Sequence, residues 1–260
     1  MKKTMQRHPG ILVLAGLVLI IYVSSYGLDF SAFSSLSGGM IKETIGGLFH
    51  PDWSMLYDGT SEDVLSLMLL TIEIALVGTA VGTVFAVPLS LLSASNLWPK
   101  YSPVPRVGKV ILDILRSFPE LVYAIIFVKM TGPGPFAGAM AIGVHQIGML
   151  GKLFAEEMER IDNAPVEAVK SVGANAVETF FYARLPQLMP IWTSLVLNHF
   201  EIGVRSASTL GLVGAGGIGA PLIFAIQARN WDKVSIILLA VIVTVYVLDQ
   251  ITGHVRKRLR

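Results

Sequence analysis

Two sets of polar residues sit in otherwise apolar stretches, and their spacing puts each set on one helical face. Ser194, Asn198, Glu201 and Arg205 fall at i, i+4, i+7 and i+11. Asp113, Arg116 and Glu120 fall at i, i+3 and i+7, beside Pro119. Glu73, His145 and Gln146 add polar groups elsewhere. An ionisable side chain inside an apolar span is costly, so each is a candidate functional position. The chemistry open to them is to line a passage, or a gate, for a hydrated ion. A structural reading stands beside it: Glu201 with Arg205, and Arg116 with Glu120, neutralise each other at i,i+4 and pin helices together.

Catalytic chemistry has little to work with. The five histidines (His8, His50, His145, His199, His254) are scattered, with no zinc-ligand spacing. The chain has no cysteine, which excludes disulfides, thiol catalysis and cysteine-held metals. A phosphate-cradling loop needs Gly, four residues, then Gly-Lys-Ser/Thr. Gly108-Lys109 and Gly151-Lys152 are followed by Val110 and Leu153, and neither has the upstream glycine. Gly214-Ala215-Gly216-Gly217-Ile218-Gly219 fits the dinucleotide template but follows an apolar helix, not a strand. Its small residues better suit a bend or a close backbone approach. Energy for any work must come from another polypeptide or an ion gradient.

The elements that would position these residues are membrane helices. Of 260 residues 53% are hydrophobic and only 15% charged, with mean hydropathy +0.65. A soluble domain usually carries about a quarter charged residues. A crossing needs roughly 20 mainly apolar residues. Six candidate spans follow, at about 10–26, 64–92, 107–130, 136–151, 187–205 and 234–252. The fourth is short for a full crossing. The first follows Lys2, Lys3 and Arg7 and lacks a small-x-small cleavage site, so it reads as a retained anchor rather than a signal peptide.

Orientation follows the basic residues. An inside N-terminus places Lys2, Lys3, Arg7, Lys100, Arg106, Lys109, Lys152, Arg160, Lys170, Arg184, Arg256, Lys257, Arg258 and Arg260 in the cytoplasm, 14 of the 20. Both termini are then cytoplasmic, and the same rule accounts for basic residues that would otherwise suggest nucleic acid. The outer segment from Asp29 to Asp63 is acidic and broken by Gly38-Gly39, Gly46-Gly47 and Pro51. It reads as a short amphipathic piece on the bilayer. The expected division is 1–63, an N-terminal helix with that outer segment; 64–253, the transmembrane domain; and 254–260, a basic cytoplasmic tail.

One polar connection, Lys152 to Pro186, stands out inside the transmembrane domain. Asp162 or Asn163 can cap a helix, with Pro165 in its first turn and Glu167 near its positive end. Gly173 can take the left-handed conformation that closes it. A second helical stretch, Ala176 to Leu185, is expected to stop at Pro186. Helix, turn and helix would project from the membrane face and fit a groove on a soluble partner. The plainer reading is an amphipathic connector at the bilayer surface.

This connection resembles the "EAA" loop of ABC importer permeases: Glu-Ala-Ala, three residues, Gly, nine residues, Ile, one residue, Leu-Pro. Glu167, Ala168, Gly173, Leu185 and Pro186 fall in register, while Val169 replaces the third alanine and Ala183 the isoleucine. Further segments resemble the phosphonate-type permeases. They are Phe118 to Val122, Gly134 to Gly138, Leu150 to Glu156, Phe200 to Ala207 and Leu210 to Gly219, within a match covering roughly 64–252. The resemblance implies an all-α, polytopic type I permease fold in a prokaryotic inner membrane. It implies a homodimer working with two cytoplasmic ATPase subunits and an extracytoplasmic binding protein for phosphonates, phosphite or phosphate. ATP and Mg would be held by the ATPase partner, with no cofactor on this chain. It assigns ATPase coupling to Glu167, Ala168, Val169, Gly173, Leu185 and Pro186. Ser194, Asn198, Glu201, Arg205, Arg116 and Glu120 remain candidates for the path or gate.

A gradient-driven secondary carrier is the alternative, with Glu73 or Glu201 coupling the ion. It would usually show an internal repeat, and none is visible. A membrane-embedded enzyme lacks any nucleophile–base or metal signature.

Overall fold

Caps, prolines and glycines set where the helices of this chain begin and end. The computed structural model describes residues 9–26 and 37–259, and all regular structure there is helical. Lys2, Lys3, Arg7, His8, Gly27, Asp29 and Arg260 lie outside the described residues. The chain divides into two units, 1–46 and 47–260. In the first, α1 (Pro9–Ser25) carries the first apolar span. The second helix, α2 (Gly38–Leu48), opens on Ser37, whose hydroxyl accepts from the Met40 amide.

The second unit is a helical bundle. Asp63 caps α3 (Val64–Ser93) by accepting from the Ser66 amide at 2.7 Å. After it come α4 (Val104–Ser117), α5 (Glu120–Thr131), α6 (Pro135–Arg160), α7 (Asn163–Ser171) and α8 (Ala176–Thr179). A π turn, Phe180–Arg184, runs straight into α9 (Leu185–Leu210), followed by α10 (Gly219–Gln227) and α11 (Trp231–Leu259). Among the described residues, Val64–Ser93 and Trp231–Arg258 are long and apolar enough to cross a membrane. The 26-residue helices α6 and α9 match them in length but carry more polar groups.

Packing fixes the directions. A Cβ at Gly78 would lie 2.8 Å from Ile142, and one at Gly82 2.8 Å from Gln146, so α3 and α6 run parallel with their backbones close. Gly203 of α9 faces Ala75 and Thr79 of α3, and Gln146 Nε2 donates to the His199 carbonyl at 3.0 Å. Helix α9 is antiparallel to both. Gly148 abuts Leu115 and Arg116, which sets α4 antiparallel to α6. Ile74, Ala75, Ala124, Ile142, Val204 and Leu210 close the central core.

Four expectations change. The span 107–130 is two helices, because Pro119 forces Phe118 into an extended conformation (φ −83°, ψ 131°). Tyr123 Oη bridges the break to the Leu115 carbonyl at 2.8 Å. The helix holding 136–151 continues to Arg160, so residues 152–160 belong to α6 and not to the polar connection. The stretch from Ala176 does not stop at Pro186. Proline is tolerated in the first turn of α9, and the helix passes through it. Residues 47–56 are not a separate surface piece: Ser235 Oγ donates to the Leu48 carbonyl at 2.7 Å and the Asp52 amide to the Asp232 carbonyl at 3.2 Å.

Candidate functional site

The polar connection, now residues 161–184, projects between α6 and α9. Asp162 caps α7 by accepting from the Ala164 amide at 3.0 Å. Gly173 has φ +92° and closes the helix, its amide donating to the Lys170 carbonyl at 3.0 Å. Asn175 and Glu178 form a reciprocal capping box at the start of α8. Gln187 ties the two ends together. Its Oε1 accepts from the Asp162 amide at 3.2 Å, and its Nε2 reaches the Asp162 carbonyl at 3.3 Å. Glu167, Ala168, Gly173 and Pro186 are exposed, and Val169 and Leu185 are half-buried. Glu167 lies one position past the first turn of α7, so it gains less from the helix dipole than its spacing suggested.

Sequence reasoning missed four exposed apolar side chains of this segment. Val172, Val177, Phe181 and Tyr182 are all exposed, Val172 at 84% and Tyr182 at 76%. A polar segment presenting four large apolar side chains to solvent marks an interaction surface. Their signal lay in a Val or aromatic residue within a stretch otherwise read for its polar motif.

The second group lies on α9 and its neighbours. Glu201 is buried, and neither expected i,i+4 pair forms. Arg256 of α11 pairs with the Glu201 carboxylate, and the Thr252 hydroxyl donates to it. Arg205 is exposed and reaches only the Glu201 backbone carbonyl, at 3.5 Å. Arg116 pairs with Asp113 at 2.8 Å, because the break at Pro119 moves Glu120 onto another helix. Glu120 lies instead against Ser206 and near His145, joining α5, α6 and α9. Ser194 and Asn198 are half-buried, and Ser194 opens onto a cleft of about 360 Å³ with Asp249, Gln250, His254, Arg256 and Lys257. Glu73 is exposed on α3, while Gln146 is buried with its Oε1 unpartnered. The partner of Glu201 lies 55 residues away in sequence, where no local spacing could reveal it. Of the basic stretch expected as a tail, residues 254–259 continue α11, and Arg256 reaches the bundle.

The glycine-rich stretch is a packing device. Gly214, Gly216 and Gly217 have φ of +85°, +84° and +75°. A Cβ at Gly216 would meet Pro135 at 2.9 Å, and Thr71 Oγ1 accepts from the Ile218 amide at 2.9 Å. The segment plugs the ends of α3 and α6 and leaves no room for a dinucleotide.

Residues 86–260 match the family described as binding-protein-dependent transport system inner membrane component. The chain is 37% identical over 190 residues to the phosphite transport system permease protein PtxC of Stutzerimonas stutzeri, covering 73% of this chain and 69% of that protein. It is 37% identical over 206 residues to the phosphate-import permease protein PhnE of Mycolicibacterium smegmatis, covering 78% of this chain but 38% of that longer protein. Among solved structures, an inward-facing MetNI methionine ABC transporter chain superposes with TM-score 0.62 at 16% identity, covering 86% of this chain and all of that one. At that identity the likeness speaks for the fold: an all-α type I permease.

Proposed function

The chain belongs to the binding-protein-dependent transport system inner membrane components, and from that premise we propose that it is the permease of an ATP-driven importer of phosphorus oxyanions. The cargo class is phosphonate, phosphite or phosphate, supported by the names of the relatives at 37% identity. The assembly is a homodimer with two cytoplasmic ATPase subunits and an extracytoplasmic binding protein. Both chain termini are cytoplasmic. One end of the bundle gathers Lys109, which pairs with Glu159, and Arg184, which reaches the Asn96 carbonyl, in keeping with the basic-residue rule. ATP and Mg are held by the ATPase partner.

The observation that carries this reading is the capped, exposed 161–184 segment. Both of its helices have side-chain caps, its turn is set by Gly173, and its ends are clasped by Gln187. Such a segment moves as one piece, and its exposed apolar side chains suit a groove on the ATPase. At the other end of the passage, Arg205 carries a guanidinium with no carboxylate partner among the described residues. Two copies about a common axis would present two such forks to an oxyanion, which a guanidinium binds through paired hydrogen bonds. Ser194 and Asn198 continue the polar face below it, and Glu120 with Ser206 lies beside it.

Glu167→Lys is the test of the coupling role. It should leave the permease in the membrane at wild-type level and abolish ATP-driven import. Wild-type import in that variant would remove the assignment. Pairing of two copies is tested by Asn198→Cys, the sole cysteine of an otherwise cysteine-free chain. Cross-linking at that position is expected, and a transport-active monomer would refute the dimer.

A further inference from the structure

Where the projecting segment rejoins the bundle, three chain segments meet around one buried cation. Arg184, the last residue of the π turn, is only 7% exposed. Its Nη2 donates to the Asn96 carbonyl at 3.4 Å, and its Nη1 is buried without any acceptor. No carboxylate forms an ion pair with it among the described residues. Asn96 lies in the 3-10 turn Ser95–Leu97 that joins α3 to α4. That turn is gripped from a third side: Asn96 Nδ2 donates to the Met158 carbonyl at 2.7 Å, and the Ser95 amide to Glu159 Oε1 at 2.7 Å. Ala94, Leu97, Met158, Phe180 and Leu185 fill the space around these bonds.

As a means of stability the arrangement is poor. A buried guanidinium with an unused donor costs free energy, and an apolar side chain of similar bulk would pack there more favourably. The π turn adds to the oddity, since such turns are rare and frequently mark functional sites. The contact does have one mechanical consequence. It is a polar link from segment 161–184 to the turn that follows α3 on the way to α4. Helix α4 cannot slide freely beyond that turn, because a Cβ at Gly108 would lie 2.6 Å from Ser93 Oγ and Lys109 bonds Ser95 Oγ at 3.0 Å. At its far end α4 meets the Phe118–Pro119 break, a ready hinge before Glu120.

We infer that Arg184 is a positioning residue for energy coupling, the strut that carries displacement of segment 161–184 to the 95–97 turn and so to α4. This rests on the importer reading above. It adds a route into the bundle that bypasses α9, the helix to which the segment is covalently joined. The unused Nη1 leaves the guanidinium a second donor with which to hold the turn when the segment shifts.

The test uses the full assembly in proteoliposomes, with its ATPase and binding protein, supplied in turn with phosphite, methylphosphonate and phosphate. Wild type should import at least one of these on ATP; if it imports none, the importer reading and this inference fall together. Arg184→Met should keep its membrane level and an apparent Tm equal to or above wild type. Its ATP hydrolysed per anion imported should rise about tenfold, the scale on which residues along coupling networks act. Arg184→Lys, whose single amine can still reach the Asn96 carbonyl, should fall between. Asn96→Ala keeps the carbonyl but frees the turn from Met158, and should raise the same ratio. A wild-type ratio in Arg184→Met and Asn96→Ala, with import otherwise normal, would overturn the strut while leaving the importer intact. So would an Arg184→Met chain that unfolds or loses import and hydrolysis in equal proportion.

Discussion

The α3–α6 contact and the 161–184 segment are built on opposite terms. Along α3 and α6 backbone meets backbone: a Cβ at Gly78 would lie 2.9 Å from the Ala139 carbonyl oxygen, and one at Gly82 3.1 Å from that of Gly143. Around Gly173 there is nothing within 4 Å, and its glycine is required by φ +92° alone. The first region is held by contact on every side, the second by caps and two end clasps. Apolar helices surrounded by lipid gain little from burial alone, so close backbone approach takes over as the force that joins them. The projecting segment must instead stay rigid while touching little, which hydrogen-bonded caps achieve.

Substituting the two kinds of glycine breaks this comparison most sharply. Gly78→Val should remove most folded protein from the membrane, since overpacking costs roughly 1–3 kcal/mol or more and the obstructing atoms are the branched Ile142 side chain and the Ala139 carbonyl oxygen. Gly173→Val should leave folded protein near wild-type level, the strain of a left-handed valine costing about 1–2 kcal/mol locally. ATP-driven import should nonetheless fail, because the turn between α7 and α8 is lost. Fluorescence-detected gel filtration, run beside an import assay, reads both. Equal losses of folded protein in the two variants would erase the distinction.

Much of this contrast was legible in the sequence. The Asp162 cap, the Gly173 turn and the 64–92 and 234–252 helices were all expected, because each is a local signal: a side chain serving its own neighbours. What escaped were contacts between distant residues. Glu201 looked like a partner for Arg205 because i,i+4 is the spacing a single helix offers, yet Arg256 takes it across 55 positions. Arg184 read as one more cytoplasmic cation, and only the fold shows it buried against Asn96. The break after Ser117 was misread for a different cause. Hydropathy runs smoothly across Pro119, and the restriction it imposes on Phe118 outweighs that continuity.

The second test asks whether the bundle depends on the partly buried Glu201–Arg256 ion pair as it depends on glycine. Breaking a buried pair from one side costs roughly 3–5 kcal/mol, because the remaining charge stays stranded. Glu201→Gln and Arg256→Met should each lower the thermal stability of the purified permease by several degrees. Glu201→Met with Arg256→Met together should recover much of the loss, the signature of coupled neighbours. Arg205→Ala should stay within about 0.5 kcal/mol of wild type, since its side chain is exposed. It should lose import all the same. Recovery of Glu201→Gln by Arg205→Ala rather than by Arg256→Met would restore the i,i+4 pairing and overturn the geometry described here.

The smallest effect lies in the bundle just before the projecting segment begins. Glu159, in the last turn of α6 and outside the 136–151 span, is partly buried, and burial by itself would raise its carboxyl. The Ser95 amide and the Lys109 ammonium at 2.9 Å outweigh that and hold it below the usual carboxylate range. A depressed carboxyl binds its proton more weakly in the folded chain than in the unfolded one. Its contribution is therefore complete above the unfolded value, roughly pH 4.3, and declines as pH falls through the folded one. Lys109 is nearly half exposed, at 46%, which leaves the pair solvent-screened and worth at most about 1 kcal/mol. Glu159→Gln should thus lower Tm slightly at pH 7, and the gap from wild type should close as pH drops below the carboxylate range. A gap that persists unchanged at low pH would show that Glu159 acts through packing against the 95–97 turn and not through its charge.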